Sequence, residues 1–416
     1  MLEDLKNKLK TKQAKTLLEN FFSLSALQVV SMLLPLITLP YVLRTIGYEK
    51  YGLIALALSL TAYFNSIVDY SFRITATRDV AVFRNSPKKL NLIYSKVITV
   101  KTLFLLLSLL IITVVVLTYP PFYQEKKLFF FSALSLVGYM LFPEWFFQGI
   151  EKMKYITIIN VSVKIIFALC IFIFIKKEDD YIILPLITSL GLLFSGIVGQ
   201  YILIRKYKIK YNFISIKRLK KTISANTPIF INQFVPNLYN NSGAFLLGVL
   251  ATSYLLGIYT AIRKIVGLAE TLLSIVSRVF FPYINKKNEA FHFYKKLMYF
   301  TGSIGIITML LCYQIIFWFL DIDDPIALWI LILLSFSIIG YITYDVFGLN
   351  YFIVRNKDRL VMKNTLIMSL IGFCVTIPMI YYFDIFGAAF SLLISRYLMG
   401  GGLLFKYYKH KAIENV

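Results

Sequence analysis

The residues best equipped for chemistry share one face of an apolar stretch. In IYTAIRKIVGLAETLLSIVSRVFFPYI (residues 258–284), Arg263, Gly267, Glu270, Ser274, Ser277 and Arg278 fall within an arc of roughly 100° when each residue turns 100° about a helix axis. Lys264 sits at the edge of that face. A charge at bilayer depth costs about 2.5–3.5 kcal/mol on insertion scales, so such a face needs an aqueous or anionic neighbour. Guanidinium groups suit phosphate oxygens because they bind them bidentately. Arg278 lies near the end of the stretch and could equally snorkel to the interface. Glu270, in mid-span, is the candidate for ion coupling, by H⁺ or Na⁺; its seven-residue distance from Arg263 places it beyond the usual reach of a helical pair.

A second, neutral stripe lies just upstream. Gln233, Asn237 and Asn240 share a helical face, with Asn241 beside it. Amides both donate and accept, which suits sugar hydroxyls, although they also serve as hydrogen-bonding glue between membrane helices. Near the start of the chain Asn20, Gln28, Ser31, Pro35 and Thr38 repeat the arrangement. Lys164 and Arg44 complete the candidate anion contacts, Lys164 near the middle of its apolar run. Other embedded ionisable residues are Lys101, Asp69, Glu144, Asp345 and Arg396; the three acids lie near span ends, where interfacial placement would explain them.

Catalytic patterns are missing. His292 and His410 fall in polar connecting segments, and there is no HExxH, no Cys-x-x-Cys and no phosphate-binding glycine loop. No catalytic residue, metal site or cofactor is therefore expected, and the chain reads as a non-enzyme. Cys170, Cys312 and Cys374 lie within apolar runs and imply no disulfide framework.

The elements that position these residues follow from composition. Of 416 residues 58% are hydrophobic and 16% charged. Mean hydropathy is +0.73. Soluble domains are about 45–50% apolar and about 25% charged, so this is an all-α polytopic membrane protein. Apolar runs predict about twelve spans, at 18–43, 53–71, 97–119, 128–148, 156–175, 181–204, 228–250, 257–283, 297–320, 328–350, 365–383 and 388–405. The net charge of +23 is distributed unevenly: one set of connecting segments holds 32 Lys and Arg, the opposite set 6. The positive-inside rule then places both termini in the cytoplasm and makes nucleic acid unnecessary as a partner. Trp145, Trp318 and Trp329 fall near span ends, as interfacial aromatics do. The basic start, with Lys6, Lys8, Lys10, Lys12 and Lys15, leads into an apolar run too long for a cleavable signal.

The basic segment 205–227 divides the spans six and six, so the expected domains are a lobe over 1–204, a cytoplasmic linker over 205–227 and a lobe over 228–416. Both lobes enter from the same side, which makes any repeat parallel. Gln28 and Gln233, and Gly52 and Gly257, share an offset of 205. Each lobe opens on a proline-containing span, with Pro35 and Pro40 in one and Pro228 and Pro236 in the other. Interrupted helices in corresponding positions are a pointer to a transport site, and the striped helices could wall one central cavity.

Several strings also carry a family resemblance: LPYVLRTIGYEKYG (39–52), VDYSFRITATRDVA (68–81), PEWFFQGIEKMKYI (143–156), LYNNSGAFLLGVLATSYLLGIYTAIRKIVGL (238–268) and FFPYINK (280–286). Together they resemble the polysaccharide-transporter family of O-antigen and capsule repeat-unit flippases, in the superfamily that also holds multidrug antiporters and the lipid II flippase. The resemblance implies two six-helix lobes around a central cationic cavity, in the bacterial cytoplasmic (inner) membrane. It implies a substrate of undecaprenyl-diphosphate-linked oligosaccharide moved from the inner to the outer leaflet, with polysaccharide polymerase and chain-length proteins as partners. The family motif commonly has an acidic residue before Lys264; Arg263 stands there, which adds cationic character. The rival readings are an organic-cation antiporter, which would want carboxylate and aromatic walls, and a non-transporting assembly scaffold.

Overall fold

The computed structural model describes residues 12–286 and 290–414, so Lys6, Lys8 and Lys10 of the basic start lie outside the described residues. The described chain is helical, without a strand. In chain order it runs through α1 (Lys12–Asp69), α2 (Phe72–Phe83), α3 (Pro87–Thr118), α4 (Pro120–Gln124), α5 (Lys126–Ala133), α6 (Ser135–Leu141), α7 (Glu144–Gly149), α8 (Met153–Phe174) and α9 (Ile183–Arg205). It continues with α10 (Ile216–Leu250), α11 (Ser253–Lys286), α12 (Ala290–Leu311), α13 (Tyr313–Leu320) and α14 (Ile326–Tyr344). A π-helix (Asp345–Ile353) extends α14, and α15 (Asp358–Glu414) closes the described chain.

Among the described residues eight helices are long and apolar enough to cross a membrane, or nine if the bent pair α12 and α13 counts as one span. Twelve were expected, and the difference has identifiable causes. The first two expected spans run together in α1, which leaves helical geometry only at Gly47 (φ 73, ψ 170). The last two run together in α15, broken at Asp384 (φ 45, ψ −122). The amide-rich α10 is too polar to qualify on composition. Pro35 and Pro40 sit inside α1 without ending it, so the break in this helix belongs to glycine rather than to proline.

The described chain forms two compact units. One runs up to Tyr41 and resumes over Thr61–Gln233; the other takes Val42–Leu60 and continues from Phe234. In the first unit a core of Tyr70, Phe72, Val80, Trp145, Phe146 and Phe147 is sealed where α2 meets α7. Trp145 is 1% exposed, so it is a core residue and not the interfacial anchor expected of it. Trp318 and Trp329, by contrast, are largely exposed. Within the segment expected as a linker, Ile209 and Ile214 are buried, and the backbone of Lys210 donates to Asn91 Oδ1 at 2.9 Å.

In the second unit α1 beyond Gly47 crosses the start of α11 with almost no space between backbones. A Cβ on Gly52 would lie 1.7 Å from the Ser253 carbonyl oxygen, and one on Gly257 would lie 2.1 Å from the Tyr48 carbonyl oxygen. Tyr48 and Ser253 are related by the same offset of 205 as the two glycines. The contact is therefore reciprocal: each glycine faces the carbonyl four residues before the other. Small residues let membrane helices approach this closely. Replacing Gly257 or Gly52 by Leu is expected to destabilise the fold by at least about 1–3 kcal/mol through overpacking. Gly401, which has open space beside it, should tolerate Ala. Thermal unfolding of the detergent-purified variants checks the contrast.

Candidate functional site

The cationic face of α11 is organised around one carboxylate. Arg263 Nη1 and Nη2 donate to Glu270 Oε1 and Oε2 at 2.9 and 3.3 Å. Arg396 of α15 meets the same oxygens from the other side, at 2.6 and 3.0 Å, and also donates to Ser337 Oγ at 2.9 Å. The pairing of Arg263 with Glu270 overturns the expectation that seven residues separate them too widely. Their Cα atoms are about 10.5 Å apart along the axis, a distance that the long Arg263 side chain spans when it extends along the helix toward Glu270. A Cβ at the intervening Gly267 would lie 3.7 Å from Arg263 Nη1, an ordinary contact distance. Arg396 reaches the carboxylate because α15 packs closely on α14, where a Cβ on Gly340 would meet the Arg396 backbone at 2.8 Å.

The resulting cluster has two guanidinium groups and one carboxylate, hence a surplus positive charge. Arg263 is its accessible member, with a side chain 26% exposed against 12% for Glu270 and 6% for Arg396. Below it on α11, Arg278 donates to its own helix at Ser274 and is exposed. Lys264 is exposed, with its ammonium 5.3 Å from the centre of the Tyr51 ring. Arg44 is engaged elsewhere: it donates to the Trp318 carbonyl at 3.0 Å and lies 4.0 Å from Asp321.

Lys164 lies in the first unit. Its Nζ donates to Ser31 Oγ at 2.6 Å, at the wall of a cavity of about 300 Å³. Pro35, Thr38, Tyr139, Asn160 and Ser195 also line that cavity. Pro35 has no N–H, so the Ser31 carbonyl is left without its helical donor on the same wall. Of the amide stripe, Gln233 and Asn237 are half-buried, and Asn240 donates back to Pro236 O at 3.1 Å. Gln233 belongs to the first compact unit and both asparagines to the second.

Two of the acids expected near span ends gather polar partners. Asp69 takes a 2.8 Å ion pair from Lys101, whose side chain is 3% exposed. Asp345 is buried at the start of the π-helix, where Ser277 Oγ donates to it at 2.8 Å and Asn350 Nδ2 at 2.9 Å. Tyr294 donates to the same oxygen. The sequence marks Lys101, Asp69 and Asp345 as embedded ionisable residues, but no spacing connects Asp69 with Lys101 or Asp345 with Ser277 and Tyr294. Among the described residues no three His, Cys, Asp or Glu side chains gather to hold a metal.

Removing one member of a buried ion cluster leaves uncompensated charge, whereas replacing several by apolar groups does not. Glu270→Leu is expected to cost about 3–5 kcal/mol, and adding Arg396→Met should recover part of it. Thermal unfolding of the single and double variants measures the coupling.

Comparison with known proteins agrees with this architecture. The chain is 24% identical over 393 residues to an Escherichia coli (strain K12) protein named "Putative O-antigen transporter", covering 92% of this chain and 95% of the relative. A Shigella dysenteriae protein of the same name is 25% identical over 396 residues, covering 92% and 97%. Among solved structures, the lipid II flippase MurJ in an inward closed conformation superposes with a TM-score of 0.75 at 14% identity, covering 94% of this chain and 87% of its own. An inward-facing multidrug resistance MATE family transporter of the MOP superfamily gives 0.62 at 12% identity, covering 95% and 99%. The fold is thus a transporter fold of this kind, and the protein is a multi-pass membrane protein. Residues 17–288 match the family model described as polysaccharide biosynthesis protein, and the chain belongs to that family.

Proposed function

We propose that the protein is a flippase that moves polyprenyl-diphosphate-linked oligosaccharide from the inner to the outer leaflet of a bacterial cytoplasmic membrane. The observation that carries the reading is the surplus positive charge of the Arg263–Glu270–Arg396 cluster in a protein of this family. A diphosphate and a polar glycan do not cross hydrocarbon unaided. A guanidinium that is partly exposed and only half neutralised is a ready partner for phosphate oxygens. In this reading Arg263 and Lys264 attract the diphosphate, with Lys164 as a second cationic contact. Gln233, Asn237 and Asn240 meet sugar hydroxyls. Arg44, already bonded to Trp318 and close to Asp321, anchors a connecting segment.

Glu270 takes a role different from ion coupling in this proposal. Held between two guanidinium groups, it keeps their charges apart and gives way to the incoming diphosphate. Both termini lie in the cytoplasm, following the excess of Lys and Arg in the alternate connecting segments. The membrane potential then assists export, because moving a net charge of about −2 outward gains on the order of 4.6 kcal/mol at 100 mV. A drug antiporter shares the fold, but a surplus of buried positive charge repels organic cations.

The charge-removing pair Arg263→Gln and Lys264→Gln is expected to lower surface polysaccharide about tenfold or more, as the loss of charge-assisted hydrogen bonds implies. Lipid-linked repeat units should accumulate on the inner leaflet while the protein stays in the membrane. Normal polysaccharide in that strain would sink the proposal. Leaflet-resolved labelling of the lipid-linked units separates a flippase from a scaffold.

A further inference from the structure

The first unit contains a second cationic cavity, away from Lys164, that the flippase reading does not use. It measures about 230 Å³. All of its lining residues come from two stretches, 72–97 and 218–226. These are parts of the two connecting segments richest in Lys and Arg. The positive-inside rule explains why such residues are on one side of the membrane, but not why they converge on a shaped cavity.

Three cations border it: Lys96, Arg218 and Lys221. Among the described residues none of them makes an ion pair within 4.0 Å. The single acid of the lining, Asp79, lies 3.7 Å from Arg78 on its own helix. The cavity therefore keeps an excess of uncompensated positive charge. Phe72, Ile93 and Val97 give it an apolar wall. A further lining residue, Asn226, is 7% exposed. Its Nδ2 donates to Thr222 O at 2.8 Å, but its Oδ1 accepts no hydrogen bond. A buried acceptor left unmade costs about 1–3 kcal/mol unless a ligand supplies the donor.

These features specify a ligand in three parts: a phosphate for the cations, a hydroxyl for Asn226 Oδ1 and a hydrocarbon chain for the apolar wall. We propose that this cavity is a binding site for an anionic phospholipid with a hydroxyl-bearing headgroup, of which phosphatidylglycerol is the simplest example. Basic pockets between helices on the cytoplasmic side are suited to such headgroups. Arg218 and Lys221, one helical turn apart on α10, face the phosphate together with Lys96 from α3. The bound lipid then ties the start of α10 to α2 and α3. This site does not depend on what the protein transports; it depends only on the cavity and its charges.

The test uses the full-length chain in native mass spectrometry and thermal unfolding, with dioleoyl phosphatidylglycerol, phosphatidylmethanol, phosphatidylethanolamine and inorganic phosphate as separate probes. Wild type should retain one phosphatidylglycerol per chain and be stabilised by it in preference to phosphatidylethanolamine. Arg218→Gln with Lys221→Gln should weaken that binding about thirtyfold, at roughly one Lys or Arg contact's worth per residue. Wild type should prefer phosphatidylglycerol over phosphatidylmethanol, a phosphodiester of equal charge without a hydroxyl, and Asn226→Leu should erase that preference, a change that general electrostatics would not produce. Equal retention by the double variant, or no preference of wild type over phosphatidylethanolamine, would overturn the site. Equal stabilisation by inorganic phosphate would overturn its assignment to a lipid. The wild-type preferences decide the matter even where a variant fails to fold.

Discussion

A charge within the bilayer must find its compensation inside the protein, and this requirement organises the polar interior of the molecule. Glu270 illustrates it most fully. At low dielectric a lone carboxylate would be prohibitively costly, and a lone guanidinium equally so. Drawing Arg263 from the same helix and Arg396 from α15 onto one carboxylate brings three charges down to a surplus of one. The same rule holds Lys101 against Asp69 in the first unit. Asp345 satisfies it differently, with three neutral donors from Ser277, Tyr294 and Asn350. Each solution ties helices that are remote in the chain, so charge compensation doubles as a tertiary constraint.

Close backbone approach makes these arrangements possible. Gly340 brings α14 against α15 and thereby carries Arg396 to Ser337 and Glu270. Gly52 and Gly257 press together two segments 205 residues apart, in a reciprocal contact. In membranes, where lipid competes with side chains for apolar contact, such small-residue seams supply much of the helix packing. The polar cluster and the glycine seam are therefore two aspects of one packing solution in the second unit.

The positive charge of the chain divides into populations with different physical meaning. Most of it lies in connecting segments, 32 Lys and Arg in one alternating set against 6 in the other, the kind of asymmetry that the positive-inside rule describes. A few charges lie within spans, and there the cost of burial makes them functional candidates. A third group, Lys96, Arg218 and Lys221, comes from the connecting segments yet lines a cavity whose buried amide oxygen has no partner. Counting charges along the chain merges the first and third groups; only their convergence separates them.

The helical membrane architecture was legible without coordinates, because hydropathy and the alternation of basic segments are local properties of the chain. So was the polar face of α11, since residues three, four and seven apart share a helix side whatever surrounds it. The 205-residue offset of Gly52 and Gly257 was readable as a correspondence but not as a contact. The breaks of α1 at Gly47 and of α15 at Asp384 both fall between expected spans, and α10 overlies another whose amides dilute the apolar signal, so the eight or nine long apolar helices differ from the expected twelve by how these stretches are divided. Trp145 looked like an interfacial anchor because it lies near a span end, but packing against Phe146 and the α2 helix buries it. The partnership of Arg396 with Glu270, the donors around Asp345 and the cavity beneath Arg218 join residues far apart in sequence. The amino-acid sequence by itself thus determined that the chain is helical and membrane-spanning and which face of α11 is polar, both consequences of short-range periodicity and solvent partition. Only the tertiary structure decided which charges neutralise one another and which are left over, because compensation depends on distances that no local pattern encodes.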